Sequence, residues 1–230
     1  MAAVAGRAGR AINVVAGSRI FKPAVFVACA WPLTWLAYRF WLLLTERDPS
    51  ALGADPNAAL LHSTGQTALT ILLVTLTVTP VRRLFGANRV QSVRRMLGVW
   101  SFAYAAVHLT IYLVFDQLCY SFDTCQVEAI WQDILKRRFI LVGQVAFVLL
   151  LALAITSTTG WVRRLKKNWA RLHRLAYVAA VAGVVHFIWI QKSSVARPLP
   201  WMIWLGVVLA IRLYWAITKR FAGTGTAVTT

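Results

Sequence analysis

Acidic residues are scarce in this 230-residue chain: 7 Asp and Glu stand against 25 Lys and Arg, for a formal net charge of +18. Charged residues of either sign make up only 14%, whereas 59% are hydrophobic and the mean hydropathy is +0.64. That shortage of charge excludes both an ordinary soluble domain and a disordered chain. A basic soluble protein would suggest nucleic acid, but there the cations sit on a polar surface. Here they flank long apolar runs, so the membrane rules apply and no nucleic-acid partner is expected. Cysteine is also rare. Three residues exclude a disulfide scaffold, and none shows the CxxC spacing of a metal site.

The apolar runs are long. A helix needs about 20 apolar residues to cross the hydrocarbon core, and six stretches qualify, at roughly 22–44, 59–80, 97–115, 139–158, 173–191 and 199–217. Several end in charge or turn signals, among them Glu46-Arg47-Asp48-Pro49 and Pro80-Val81-Arg82-Arg83. The second is the least hydrophobic, being diluted by His62, Ser63, Gln66 and several threonines. Polar groups in a span face a bundle interior or a cofactor rather than lipid, so it counts as a span. The first reads as a retained span rather than a cleaved signal, because its apolar run is long and carries Arg39. The expectation is an all-α polytopic bundle of six transmembrane helices over 21–217. A flexible tail of residues 1–20 precedes it and a tail of residues 218–230 follows, where Gly223-Thr224-Gly225-Thr226 is a frayed end rather than a nucleotide motif.

Basic residues in short loops mark the cytoplasmic side. They cluster in the amino tail (Arg7, Arg10, Arg19, Lys22) and after span two (Arg82, Arg83, Arg89, Arg94, Arg95). Two more clusters lie between spans four and five (Arg163 to Arg174) and at the far end (Arg212, Lys219, Arg220). All seven acids fall on the opposite side. Both termini are therefore expected in the cytoplasm, with lipid headgroups as the main partners of the basic patches. Cys119 and Cys125 lie on the outer side, where a disulfide is permitted, while Cys29 is a packing residue in span one. Tryptophans such as Trp31, Trp131, Trp161, Trp201 and Trp215 fit an interfacial aromatic belt.

The chemistry rests on four histidines, His62, His108, His173 and His186, all in or beside spans. An isolated intramembrane histidine can be a helix–helix hydrogen-bonding group, a proton relay or a metal ligand. Four of four favours ligation, and two neutral imidazoles on facing helices can clamp a haem iron. At a rise of about 1.5 Å per residue, His108 lies about 10 Å inside the outer end of span three and His186 about 8 Å inside that of span five. Their depths match. His62, about 5 Å inside span two, could replace either ligand or bond a propionate. His173 opens span five on the opposite side, about 20 Å from His186, where a second haem would sit. Thirteen residues before His108, however, stands Arg95 rather than a histidine.

The segments Leu52-Gly53-Ala54-Asp55-Pro56, His62-Ser63-Thr64-Gly65, Arg94-Arg95-Met96-Leu97-Gly98-Val99-Trp100, Ala106-Val107-His108-Leu109-Thr110 and Trp169-Ala170-Arg171-Leu172-His173-Arg174, with the His186 span, resemble the MsrQ (YedZ) family over roughly residues 20–217. That family is the haem-binding membrane subunit of a bacterial periplasmic protein-methionine-sulfoxide reductase system, within the ferric-reductase-like transmembrane superfamily. The resemblance implies haem b on His108 and His186, with His173 as a third candidate ligand for a second haem. It also implies FMN as a further cofactor, a periplasmic molybdopterin reductase as partner, and an inner-membrane location. The quinone pool or a cytoplasmic flavin reductase would be the donor. The superfamily's commoner pattern has two histidines on each of two helices, and this chain departs from it at Arg95. On this reading the chain is an electron-transfer subunit rather than the catalytic one.

Two other readings compete. A stand-alone ferric reductase shares the haem mechanism and differs in acceptor. A haem-free proton-coupled transporter would use His62, Gln66 and His186 as a relay, but such carriers need intramembrane acids or broken helices, and no Asp or Glu sits well inside a span.

Overall fold

The computed structural model describes residues 2–117, 127–191 and 196–224. In chain order the helices are α1 (Ala2–Ala16), α2 (Phe21–Leu44), α3 (Pro56–Phe85), α4 (Arg94–Ile111), α5 (Val127–Lys136), α6 (Arg138–Ile155), α7 (Thr159–Leu165), α8 (Lys167–Leu172), α9 (Leu175–Ile190) and α10 (Leu199–Thr224). A 3-10 segment, Asn88–Val93, leads into α4, and a π-helical turn, Tyr112–Asp116, follows it. Among the described residues there is no strand, and six helical stretches are long and apolar enough to cross a membrane. They match the six spans expected from hydropathy to within a few residues at most ends. The largest difference is at span three, which begins at Asn88 because the 3-10 segment runs straight into α4.

The least hydrophobic span turns out to be the central one. Half of the apolar window of α3 is buried, more than in any other span, and it packs chiefly against α4 and also against α9 and α10. Its threonines are tolerated because their hydroxyls donate back to the carbonyl one turn earlier. Thr64 bonds Leu60 at 2.8 Å, Thr67 bonds Ser63 at 2.7 Å and Thr75 bonds Ile71 at 2.8 Å. Asp55 starts the helix by accepting from the Ala58 N–H at 2.9 Å, with Pro56 at the first position, where no N–H is needed. Gly86 ends it at φ 69°, a left-handed cap that disfavours a side chain.

Neighbouring spans dock on α3 through polar anchors in an otherwise apolar core of Leu69, Leu72, Leu73, Leu76, Ala180 and Val184. On α10, Trp201 donates to Thr70 Oγ1 and Trp204 to Thr77 Oγ1, both at 2.9 Å, and Arg212 donates to the Leu76 carbonyl at 2.9 Å. Trp201, assigned above to an interfacial belt, is thus a helix-docking residue, packed edge-on against Phe187. In α2, Pro32 interrupts the helical ladder, and the Tyr104 hydroxyl of α4 fills the gap. It accepts from Leu33 N at 2.9 Å and donates to the Cys29 carbonyl at 2.6 Å. Cys29 itself is buried in the apolar cluster, as its packing role requires.

Three expectations need correction. The amino-terminal segment, expected to be a flexible tail, is helical as α1 and is stapled to the corner after α3. Asn13 Nδ2 donates to the Gly86 carbonyl at 2.9 Å, and its Oδ1 accepts from Arg89 N at 3.0 Å. Gly9 lies against the Phe85 carbonyl, where no side chain could stand. At the other end, α10 continues to Thr224, past the expected start of a tail at 218. Between α4 and α6, where a loop was expected, lies the amphipathic helix α5. Cys119, Cys125, Asp123 and Gly225-Thr226 lie outside the described residues.

Candidate functional site: a histidine pair in the bundle

His108 lies in the last turn of α4 and His186 in the last turn but one of α9. The two helices bring the imidazoles into one cavity, with ring centroids 6.3 Å apart and planes nearly perpendicular at 88°. Each ring is pinned by a backbone carbonyl: His108 Nδ1 donates to Leu61 O at 3.0 Å, and His186 Nδ1 donates to Phe139 O at 2.6 Å. A carbonyl only accepts, so the proton in each ring is on Nδ1. Nε2 is then a lone-pair donor, the tautomer that a metal requires, oriented by the partner of the other nitrogen.

Glycine makes the space for both rings. A Cβ on Gly143 of α6 would lie 2.7 Å from His186 Nδ1 and 2.8 Å from its Cε1, and one on Gly65 of α3 would lie 3.0 Å from His108 Cε1. Thr64, fully buried, places its hydroxyl 3.3 Å from His108 Nδ1. The cavity has a volume of about 320 Å³, within the range of cofactor sites. It is lined mostly by apolar side chains from α3, α4, α6 and α9, with His62, Gln66, Tyr112, Gln144 and Arg137 as polar exceptions beside the histidine pair.

The donor set fits a bis-imidazole iron. Two imidazoles whose ring centroids stand 6.3 Å apart could both bond one metal ion at about 2 Å each. Neutral nitrogen donors in an apolar slot suit haem rather than a hard, oxygen-seeking cation. Among the described residues no cluster of three or more His, Cys, Asp or Glu could hold a separate metal ion.

The other two histidines are placed differently. His62 lines the same cavity and directly follows Leu61, whose carbonyl accepts from His108. His173 does not line it. It sits at the junction of α8 and α9, stacked on Trp169 at 4.0 Å, with Nε2 3.3 Å from Thr156 Oγ1. A two-residue turn, His173 and Arg174, separates α8 from α9, and the other three histidines all line the cavity that His173 does not. Sequence reasoning named both members of the pair but passed over Gly65, Gly143 and Arg137. The available signal was a glycine inside an apolar helical run, which commonly marks a close approach.

A six-span helical bundle with two carbonyl-pinned imidazoles in one interior cavity defines a class: a polytopic helical membrane protein with paired histidines inside the bundle. Residues 63–184, which contain His108 and His173 and stop two residues short of His186, match the family model described as ferric reductase like transmembrane component. The chain is 43% identical over 215 residues to the protein-methionine-sulfoxide reductase heme-binding subunit MsrQ of Xanthomonas campestris pv. campestris, covering 94% of this chain and 92% of that one. It is 44% identical over 201 residues to that of Xanthomonas axonopodis pv. citri, covering 87% of each. With that of Rhodospirillum rubrum it shares 43% identity over 206 residues, 89% of this chain and 93% of the relative. The chain belongs to the MsrQ family of ferric-reductase-like membrane proteins.

Proposed function

We propose that this protein is a haem b electron-transfer subunit of the bacterial inner membrane. It would pass electrons from the quinone pool or a cytoplasmic flavin reductase to a periplasmic molybdopterin enzyme that reduces methionine sulfoxide in oxidised proteins. One observation carries the reading: the rings of His108 and His186 lie 6.3 Å apart in one largely apolar cavity, each with Nδ1 bonded to a backbone carbonyl and Nε2 left free of that bond. Haem, when bound, supplies a one-electron centre.

The chain's own residues then do three things. His108 and His186 are the proposed axial ligands, and the carbonyls of Leu61 and Phe139 fix their orientation and raise their basicity as donors. Gly65 and Gly143 keep the space beside each ring clear. The largely apolar lining would favour the apolar body of a porphyrin. His62 lines the same cavity, where it would bond a propionate or replace either ligand. His173 is the proposed ligand only of a second haem, with no facing histidine to complete it. FMN follows from the family resemblance alone, and no residue is assigned to it.

By the positive-inside rule both termini are cytoplasmic, and the end carrying α5 faces the periplasm. The histidine pair then lies near the periplasmic boundary, on the side of the proposed acceptor. The protein orients the electron; the partner performs the chemistry on substrate.

The test uses purified protein, reduced and followed by its haem absorption. Added periplasmic methionine-sulfoxide reductase, turning over protein-bound methionine sulfoxide, is expected to reoxidise it. Reoxidation by a ferric chelate alone, with no response to the reductase, would favour the stand-alone ferric reductase instead. A protein with no haem absorption at all would remove the proposal.

A further inference from the structure

The cavity between the histidines reaches the protein surface where α5 meets α6, and there it acquires a charge. Among the described residues that line it, Arg137 alone carries a permanent charge, and no Asp or Glu lines it. Arg137 stands immediately before α6, at the end of the bundle that also carries Tyr112 of the π-helical turn. Its Nε is paired with Asp133 Oδ1 at 2.7 Å.

Asp133 is not an ordinary surface partner. Its second oxygen accepts from the Tyr112 hydroxyl at 2.8 Å and from Gln117 Nε2 at 3.2 Å. The Asp133 side chain is 16% exposed and that of Arg137 52%. An exposed i,i+4 pair alone contributes little. Here a carboxylate fixed by two further donors holds the Nε edge of a guanidinium that lines the cavity, and the Nη nitrogens have no bonding partner among the described residues.

The same cluster is tied to both ligand helices. Tyr112 follows His108 by four residues, on the same side of its helix, and also lines the cavity. Phe139, whose carbonyl pins His186, follows Arg137 by two residues. A group bound by Arg137 is therefore registered against both imidazoles.

We propose that Arg137 anchors a carboxylate of the cavity's occupant, with Asp133 as its positioning residue. Resting on the haem reading above, that carboxylate is a porphyrin propionate, held at the mouth by the Nη edge of the guanidinium fork. Arginine suits this task because its planar fork matches a carboxylate and its charge persists at any working pH. The anchor gives the porphyrin one orientation in the slot, with its acidic edge at the surface and its apolar edge in the bundle.

The experiment titrates haem-depleted full-length protein with haem and, separately, with haem dimethyl ester, which lacks the carboxylate charge. Both are read from absorption and from dissociation rate. The wild type is expected to hold the free acid about tenfold more tightly than the ester, as a charge-assisted hydrogen bond implies. Arg137→Gln is expected to abolish that preference while the bis-imidazole spectrum persists. Arg137→Lys, which keeps the charge and loses the fork, and Asp133→Asn, which releases the guanidinium, are expected to give intermediate preferences. Retention of the full tenfold preference in Arg137→Gln overturns the anchor. So does equal binding of acid and ester by the wild type, which needs no variant to fold. A wild type that binds neither compound overturns the haem reading, and the anchor with it.

Discussion

Gly143→Ala isolates the histidine pair without touching either histidine. The new methyl carbon would stand 2.7 Å from His186 Nδ1 and 2.8 Å from Cε1, well inside contact distance. The ring cannot simply swing away, because Nδ1 is held by Phe139 O at 2.6 Å. Overpacking of this kind costs about 1–3 kcal/mol, and breaking the Nδ1 bond adds roughly 0.5–1.5 kcal/mol. Against that, alanine in a helix interior gains about 1 kcal/mol over glycine. The folded bundle should therefore change in stability by no more than a few kcal/mol, while the imidazole leaves its line with His108. A misalignment worth about 1.4 kcal/mol lowers cofactor affinity tenfold. The assay is haem per polypeptide, the oxidised spectrum and the unfolding temperature, measured together. At least a tenfold weaker hold on haem with a partial loss of the bis-imidazole spectrum is expected, in a protein that still folds. Gly65→Ala, whose closest contact to His108 is 3.0 Å, should show the same change more weakly. Full haem content and an unaltered spectrum in Gly143→Ala would refute the reasoning, since the methyl group and the pinned ring cannot share that space.

Other outcomes test the bundle around the site. Tyr104→Phe removes the hydroxyl that bridges Leu33 N and Cys29 O beside Pro32, leaving buried backbone groups unpaired; a loss of about 1–3 kcal/mol in denaturant unfolding is expected, and a loss below about 0.5 kcal/mol would contradict the bridge. Asn13→Ala cuts both bonds that staple α1, so tryptic cleavage at Arg7 and Arg10 should accelerate several-fold with no change in haem content. His173→Ala should leave haem content unchanged if the pair binds the only haem; a fall to half would reveal a second. Reporter fusions at either terminus should be active only in their cytoplasmic form, and a periplasmic signal from either would reverse the orientation.

Much of this fold was legible because a membrane span has a length and a composition that few other structures share. The six runs were visible, and even the diluted second one was explicable. Its threonines mark the buried centre of the bundle, where their hydroxyls turn back on the helix. Matching depth also came from counting residues, so His108 and His186 could be paired before any coordinates. Their facing directions could not, because rotation about each helix axis is set by packing of α4 and α9 against α3 and α6 rather than by local pattern. The α1 helix was missed for a different reason: an Ala/Gly-rich stretch with two arginines has weak periodicity, and its order comes from Asn13 bonding residues more than seventy positions away. Gly143 and Arg137 were silent for the same cause. A glycine is informative only when its neighbour across the interface is known, and an arginine in a loop looks like topology until it lines a cavity.

The central claim is that one iron porphyrin is gripped by His108 and His186. Haem content per polypeptide, with the axial-ligand signature in paramagnetic resonance, tests it most directly in wild type, His108→Ala, His186→Ala and His173→Ala. The account expects bis-imidazole haem in the wild type and in His173→Ala, and loss of that signature in each of the other two. An unchanged bis-imidazole signal in both His108→Ala and His186→Ala would contradict it.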